Sequence, residues 1–175
     1  WIRDTWLALA GGRPDVSAEL FTACGNCGGQ PSVILTVRGN EWPDEIVVVG
    51  GHLDSINSGG GGNSMSAPGA DDDASGIATI TEIVRIALAS DWKPKRTVKF
   101  MGYSAEEVGL RGATVAAYGV NPDIGLAIDV TVWGDTPGTK IPDIKLGAGP
   151  AVKIMDRSII ASPVVRDALY EAAAA

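Results

Sequence analysis

Short apolar segments typical of strands alternate with segments of helical periodicity between residues 45 and 132, and this alternation constrains the fold more than any other feature. The candidate strands are rich in β-branched residues and largely apolar, as strands buried on both faces are; they lie at 45–49 (EIVVV), 97–103 (TVKFMGY) and 124–132 (IGLAIDVTV). Apolar side chains recur with helical spacing between them, at 74–90 and 108–117. The alternation predicts an α/β fold whose largely parallel, mixed sheet is sandwiched by helices and linked by right-handed crossovers.

The flanking regions add simpler elements to this scheme. The 175 residues are enough for one domain with its own core, and no internal repeat is visible. A helix at 2–10 and strands at 16–23 and 32–38 are predicted before the alternating region. After it we expect a turn-rich stretch at 134–149, a candidate strand at 151–155 and a closing helix at 163–174.

One histidine and several carboxylates stand where the predicted parallel strands end. His52 follows the strand at 45–49, Glu106 and Glu107 follow the strand at 97–103, and Asp129 lies toward the end of the third strand. Since the carboxyl ends of parallel strands line one crevice, these side chains should meet there. Each one alone has a simpler interpretation: a surface histidine, a solvated acidic pair or a turn-forming aspartate.

Three consecutive aspartates, Asp71, Asp72 and Asp73, precede the first crossover helix. One aspartate would suffice to cap that helix. Carboxylates gathered in one crevice raise each other's pKa unless cations neutralise them. Histidine with carboxylates is a ligand set that zinc accepts, and a bridging carboxylate can hold two metal ions. The pattern therefore favours a metal site.

Three motifs, "GGHLDS", "APGADDDASG" and "AEEVGLRG", occur in this order. Over about residues 1–117 the chain resembles the secreted bacterial leucyl aminopeptidases, two-zinc exopeptidases of the zinc-carboxypeptidase-like α/β fold. The resemblance implies removal of N-terminal, hydrophobic residues from peptides by water that two zinc ions activate. Peptides with a free N-terminus are the implied partners.

The same resemblance implies a role for each site residue. His52 and Asp129 would bind the first zinc, Asp72 would bridge both zinc ions, and Glu107 would bind the second. Glu106 would be the general base, and Asp54 would orient His52. A cis peptide bond between Asp72 and Asp73 is also implied.

From about residue 121 the chain resembles a different family of the same fold, the tetrahedral self-assembling aminopeptidases. The segments "AIDVTVWGDTPGT" and "KLGAGPAVKIMDRSII" carry this second resemblance, and the aspartate of "AIDVT" is Asp129. The change at 118–121 is expected of a chimera, or of a truncated or partly assigned chain that forms one incomplete catalytic domain. Both families imply a second histidine near the carboxyl terminus, whereas the sequence has one histidine in all. The second zinc would therefore retain only Asp72 and Glu107, and we expect weak or absent peptidase activity.

The two cysteines, Cys24 and Cys27, are three residues apart. A second cysteine pair for a zinc ribbon is absent from the sequence, and no βαβ unit places a helix start at Cys24 as a thioredoxin-like motif requires. A disulfide loop in an exported protein and a reduced pair remain as interpretations. The start at Trp1, without methionine or signal peptide, is expected of a processed or trimmed product.

Charge and composition exclude several other classes of function. A net charge of −7 without a Lys/Arg cluster argues against nucleic acid as a partner, and no apolar run approaches the ~20 residues that span a bilayer. The glycines at 59–62 lack the following Lys-Ser/Thr of a P-loop. A deacylase or carboxypeptidase of the same fold, and a non-catalytic or engineered metal-binding scaffold, are the alternatives to an aminopeptidase.

Overall fold

The computed structural model describes residues 1–57, 66–132, 134, 137–138 and 144–174. Its nine elements, in chain order, are α1 (Ile2–Leu9), β1 (Val16–Phe21), β2 (Ser32–Val37), β3 (Trp42–His52), α2 (Ala74–Ala89), β4 (Arg96–Tyr103), α3 (Arg111–Val120), β5 (Ile124–Ala127) and α4 (Pro163–Ala174). The glycine run at 59–62 lies outside the described residues. The chain separates into two compact units, Trp1–Val130 and Thr131–Ala175.

The first unit contains a five-stranded mixed sheet with the order β1-β2-β4-β3-β5. β2 is antiparallel to both β1 and β4, whereas β3 is parallel to both β4 and β5. Two consecutive crossovers, through α2 and α3, produce the parallel part, so the predicted α/β class is confirmed. The carboxyl ends of β3, β4 and β5 consequently lie side by side.

Helices pack on both faces of this sheet. On one face, side chains of β2 and β4 such as Leu35 and Phe100 form a core with Trp6 of α1 and Ile80 of α2. The indole of Trp6 is buried and donates to Thr81 Oγ1 at 2.8 Å, which links α1 to α2. The other face has a smaller core in which Ile34, Val48 and Met101 contact Ala116 of α3. Burial on both faces accounts for the continuous apolar sequence of the inner strands.

Two strands differ in length from their predictions. β3 runs from Trp42 to His52 rather than over 45–49, because its pairing with β4 continues without a break from Ile46 to His52. β5 ends at Ala127 rather than at residue 132, and three of its four residues are exposed. The prediction of a buried strand over 124–132 is therefore wrong: in the described sheet β5 is an edge strand, with β3 as its neighbour.

The remaining elements differ from their predictions at one helix start and one candidate strand. α3 begins at Arg111 rather than at residue 108, because Gly109 and Leu110 have φ angles of 114° and 57°, which a right-handed helix excludes. The candidate strand at 151–155 does not form; Met155 makes an isolated antiparallel bridge to Ile160 instead. The closing helix is confirmed as α4. Within the described part of the chain, every helix is too short or too polar to cross a bilayer.

Candidate metal centre

His52 is the last residue of β3, and its side chain is 3% exposed. Its Nδ1 lies 2.8 Å from the backbone carbonyl oxygen of Asp54. Because a carbonyl can only accept, Nδ1 is the donor in this bond, and Nε2 points toward the carboxylates. Burial disfavours the charged imidazole, but the carboxylates of Asp73 and Glu106 and the Asp54 carbonyl outweigh burial and raise the pKa of His52.

A cis peptide bond joins Asp72 and Asp73, as the resemblance implied. Asp72 is half exposed and places Oδ1 2.9 Å from His52 Nε2. Asp73 is fully buried and caps α2: its Oδ1 accepts from Gly76 N at 3.1 Å, and its Oδ2 accepts from His52 N at 3.0 Å. Burial raises the pKa of Asp73, although these hydrogen bonds and the charge of His52 oppose the shift.

Asp129 follows β5 and completes the group around the imidazole. Its Oδ1 lies 3.9 Å from His52 Nε2. One ligand atom from each of His52, Asp73 and Asp129 lies within 4.8 Å of the other two. With Asp72 on the same imidazole nitrogen, three carboxylates from the α2 entrance and from the end of β5 face one histidine.

Asp54 connects the end of β3 to the turn after β4. Its Oδ1 accepts a hydrogen bond from Glu106 N at 2.9 Å, and its Oδ2 accepts one from Glu107 N at 3.1 Å. Burial raises the pKa of Glu106, and the charge of His52 opposes this while Asp129, Glu107 and Asp54 add to it. Glu106 therefore lies within the electrostatic influence of His52 and Asp129, two members of the group that could hold a metal ion.

Sequence reasoning missed two of these contacts. Asp73 stood out only as a neighbour of Asp72 and a possible helix cap, and its bond to the His52 amide had no sequence signal. Asp54 was expected to orient His52. Its backbone carbonyl contacts Nδ1, while its Oδ1 lies 3.7 Å from Nδ1 and binds the Glu106 amide.

The remaining predicted pair, Cys24 and Cys27, is joined by a disulfide. Both cysteines are buried and form a small cluster with Ala105, against which Val115 of α3 packs. The structure therefore selects the disulfide over the reduced pair.

The donor set of this centre fits zinc. Imidazole nitrogen and carboxylate oxygen are ordinary zinc ligands, and a ligating histidine commonly donates its other ring nitrogen to a carbonyl. His52 has that arrangement with Asp54. A cation would also neutralise the carboxylates that otherwise repel one another in the partly buried crevice.

Residues 61–175 match the model of the M42 glutamyl aminopeptidase family. The chain belongs to this family. The match includes the aspartate run, the Glu106 turn and Asp129. The aminopeptidase resemblance drawn from the sequence motifs is thus confirmed at the level of the family.

Relatives with assigned names agree with this placement. A stretch of 118 residues, 63% of this chain and 30% of the relative, is 43% identical to "Leucine aminopeptidase 1" of Ajellomyces capsulatus. Another of 82 residues, 47% of this chain and 17% of the relative, is 45% identical to a "Probable zinc metalloprotease" of Pyrenophora teres. The chain thus spans less than a third of the length of either relative.

The fold is also found in a solved structure, an aminopeptidase of the archaeon Desulfurococcus kamchatkensis. The similarity covers 98% of this chain and 71% of that structure, with a TM-score of 0.71 and 21% sequence identity. At this identity, it supports the shared fold.

Proposed function

We propose that this chain carries the metal centre of a zinc-dependent aminopeptidase that removes N-terminal residues from peptides. The observation that supports this most is that the carboxylates of Asp72 and Asp129 both face Nε2 of His52. Glu106 interacts electrostatically with His52 and Asp129. His52, Asp72 and Asp129 would hold one zinc ion, and Asp72 and Glu107 would contribute to a second. When bound, zinc supplies Lewis acidity, which lowers the pKa of water and polarises a carbonyl group.

Glu106 is the proposed general base. Its raised pKa and its position beside the ligands suit it to accept a proton from the attacking water and return it to the leaving amine. The Asp54 carboxylate accepts a hydrogen bond from the Glu106 backbone amide and so fixes the position of the Glu106 backbone at the edge of the crevice.

The acidic surroundings account for the proposed substrate class. Asp72, Asp129 and Glu107 give the crevice a negative charge, which attracts the cationic α-amine of a free peptide N-terminus. A hydrophobic first residue is the substrate that we propose, supported by the name of the leucine aminopeptidase relative. Export from the cell is proposed as well, because the Cys24–Cys27 disulfide is typical of oxidising compartments.

A second candidate function follows from the histidine count. The sequence has one histidine, and two carboxylates alone make a weak zinc position. A chain that binds one zinc ion through His52 and has little or no turnover would be a metal-binding scaffold. Turnover of leucine p-nitroanilide in the presence of zinc separates the two functions.

Metal content and hydrolysis test the proposal together. Atomic emission on the purified chain should find zinc, and His52→Ala should lower its stoichiometry sharply, whereas Asp44→Asn, an exposed aspartate near the start of β3, should not. Any hydrolysis should fall by roughly 10²–10⁴ in Glu106→Gln. Glu41→Gln, just before β3 and at the opposite end of that strand from His52, is the matched control. Unchanged zinc content in His52→Ala, or unchanged hydrolysis in Glu106→Gln, would contradict the assignment.

A further inference from the structure

Besides Asp54, a second group of residues contacts the turn that carries Glu106, and none of them belongs to the metal centre. Ser104 and Ala105, both buried, connect the end of β4 to Glu106. Ala105 has a φ angle of 58°, in the left-handed region that disfavours residues with a side chain. An alanine keeps this unfavourable conformation only where the residues packed around it hold its backbone in place.

Those surroundings come from the connection between β1 and β2. Cys24 and Cys27 are 7% and 3% exposed, and they pack directly against Ala105. This cluster is distinct from the two cores on the faces of the sheet. Besides the two cysteines, the cluster contains Ala105 and Val115, which lie before and after the Glu106 turn.

Two hydrogen bonds link the connection between β1 and β2 to residues on either side of the Glu106 turn. Arg111 Nη1 donates to the carbonyl oxygen of Asn26, inside the disulfide ring, at 3.0 Å. Ser104 N donates to Ser32 Oγ, at the start of β2, at 3.2 Å. The Glu106 turn is thus held by Asp54 on the side of the metal centre and by the 24–32 segment on the other.

The 24–32 segment needs a cross-link to serve as a support. It contains Gly25, Gly28 and Gly29, and the last two have positive φ angles of 59° and 75°. A glycine-rich backbone would gain much conformational freedom if the cross-link between Cys24 and Cys27 were removed. The disulfide closes a ring of four residues here and confines both cysteines to the surface of Ala105.

We propose that the Cys24–Cys27 disulfide is a positioning group for Glu106, which it keeps in place by holding Ala105 and, through it, the Glu106 amide on the Asp54 carboxylate. The inference rests on the proposed function, in which Glu106 is the general base. The disulfide itself contacts none of the reacting atoms. Without the cross-link, the hydrogen bonds from the Glu106 and Glu107 amides to Asp54 should break more often, while the sheet remains folded.

Hydrogen exchange on the metal-free chain tests this directly. In Cys24→Ala/Cys27→Ala, the amides of Glu106 and Glu107 should exchange at least about tenfold faster, and those inside β4 should change little. Val84→Ala is the matched control, because it removes packing from the main core and lowers global stability without contacting the turn. Equal acceleration at Glu106 in Val84→Ala and in the cysteine variant, or none in the cysteine variant, would overturn the proposal.

A double-mutant cycle distinguishes positioning of Glu106 from a purely structural role, because it compares the loss of kcat with and without the Glu106 carboxylate. The cysteine variant should lower kcat in the Glu106 background but cause little further loss in Glu106→Gln, because both changes act through one carboxylate. Multiplying losses would contradict a shared action. If Glu106→Gln alone leaves hydrolysis unchanged, the proposed function fails; if it abolishes hydrolysis while the cysteine variant keeps both its rate and its exchange, only the positioning role fails.

Reduction of the native chain provides the same comparison if the cysteine variant does not fold. A water-soluble phosphine cleaves the S–S bond: its electron pair reduces both sulfurs, each sulfur gains a proton, and the phosphine leaves as its oxide with the oxygen of water. Once thiol titration finds both cysteines reduced, exchange at Glu106 should accelerate as in the variant. Exchange that stays at the rate of the oxidised chain would overturn the inference.

Discussion

The backbone amide of His52 donates a hydrogen bond to Asp73 Oδ2, 3.0 Å away, and this bond joins the end of β3 to the start of α2. The other oxygen of the same carboxylate caps α2 by accepting from Gly76 N. One buried side chain thereby satisfies two backbone donors and fixes the imidazole relative to the aspartate run.

Removal of the Asp73 carboxylate should destabilise the fold. Asp73→Ala leaves the buried amides of His52 and Gly76 without their acceptor, and we expect the free energy of unfolding in urea to fall by about 2–4 kcal/mol. The neighbouring Asp71→Ala, whose side chain is exposed, should change it by less than about 0.5 kcal/mol. Equal effects of the two substitutions would contradict the role assigned to Asp73.

Gly51 should not tolerate a side chain. A Cβ at this position would lie 2.8 Å from Asp73 Oδ2 and 3.0 Å from the Ile128 carbonyl oxygen. Since Asp73 is held by two hydrogen bonds and cannot move freely, Gly51→Ala should lower the free energy of unfolding by about 1–3 kcal/mol. Gly125→Ala is the control, because a Cβ there meets no atom within 4 Å. Thermal unfolding of the two variants side by side decides the matter.

Asp54→Asn separates the two contacts of this residue. The backbone carbonyl that accepts from His52 Nδ1 is retained, whereas an amide group faces one of the two backbone donors, Glu106 N or Glu107 N, and loses that bond. We expect kcat for leucine p-nitroanilide to fall by about 10- to 100-fold, with zinc stoichiometry retained. Asp44→Asn serves as control. A normal rate in Asp54→Asn would show that the carboxylate does not position the Glu106 turn.

Tyr103 should make the chain sensitive to alkali. Burial raises the pKa of its phenol from 10.0 to about 12. Above pH 10 the unfolded chain therefore loses the phenolic proton first, and stability falls as the pH rises toward 12. The loss is about 1.3 kcal/mol at pH 11 relative to pH 9. Urea titrations at both pH values should show this loss in the native chain and not in Tyr103→Phe; identical losses would refute the shifted pKa.

Local sequence patterns were sufficient for the α/β class and for most of the elements. α2 and α4 start where the apolar periodicity and the preceding aspartate or proline predicted, because capping and one-sided burial are properties of neighbouring residues. The chemistry of the centre was predictable for a related reason. In a parallel sheet, the strand ends meet by topology, so a histidine and carboxylates that follow separate strands are brought to one edge.

The sequence by itself thus determined which residue types reach this edge, while only the tertiary structure decided which atoms they present. Asp54 binds amides 52 and 53 positions away, and Asp73 binds an amide 21 positions away. Among the described strands β5 is an exposed edge strand although its residues are apolar, because its neighbours in space decide its burial. Periodicity reports how one segment is buried. Hydrogen bonds between distant segments depend on strand register and on the path of each crossover, which no short stretch of the chain encodes.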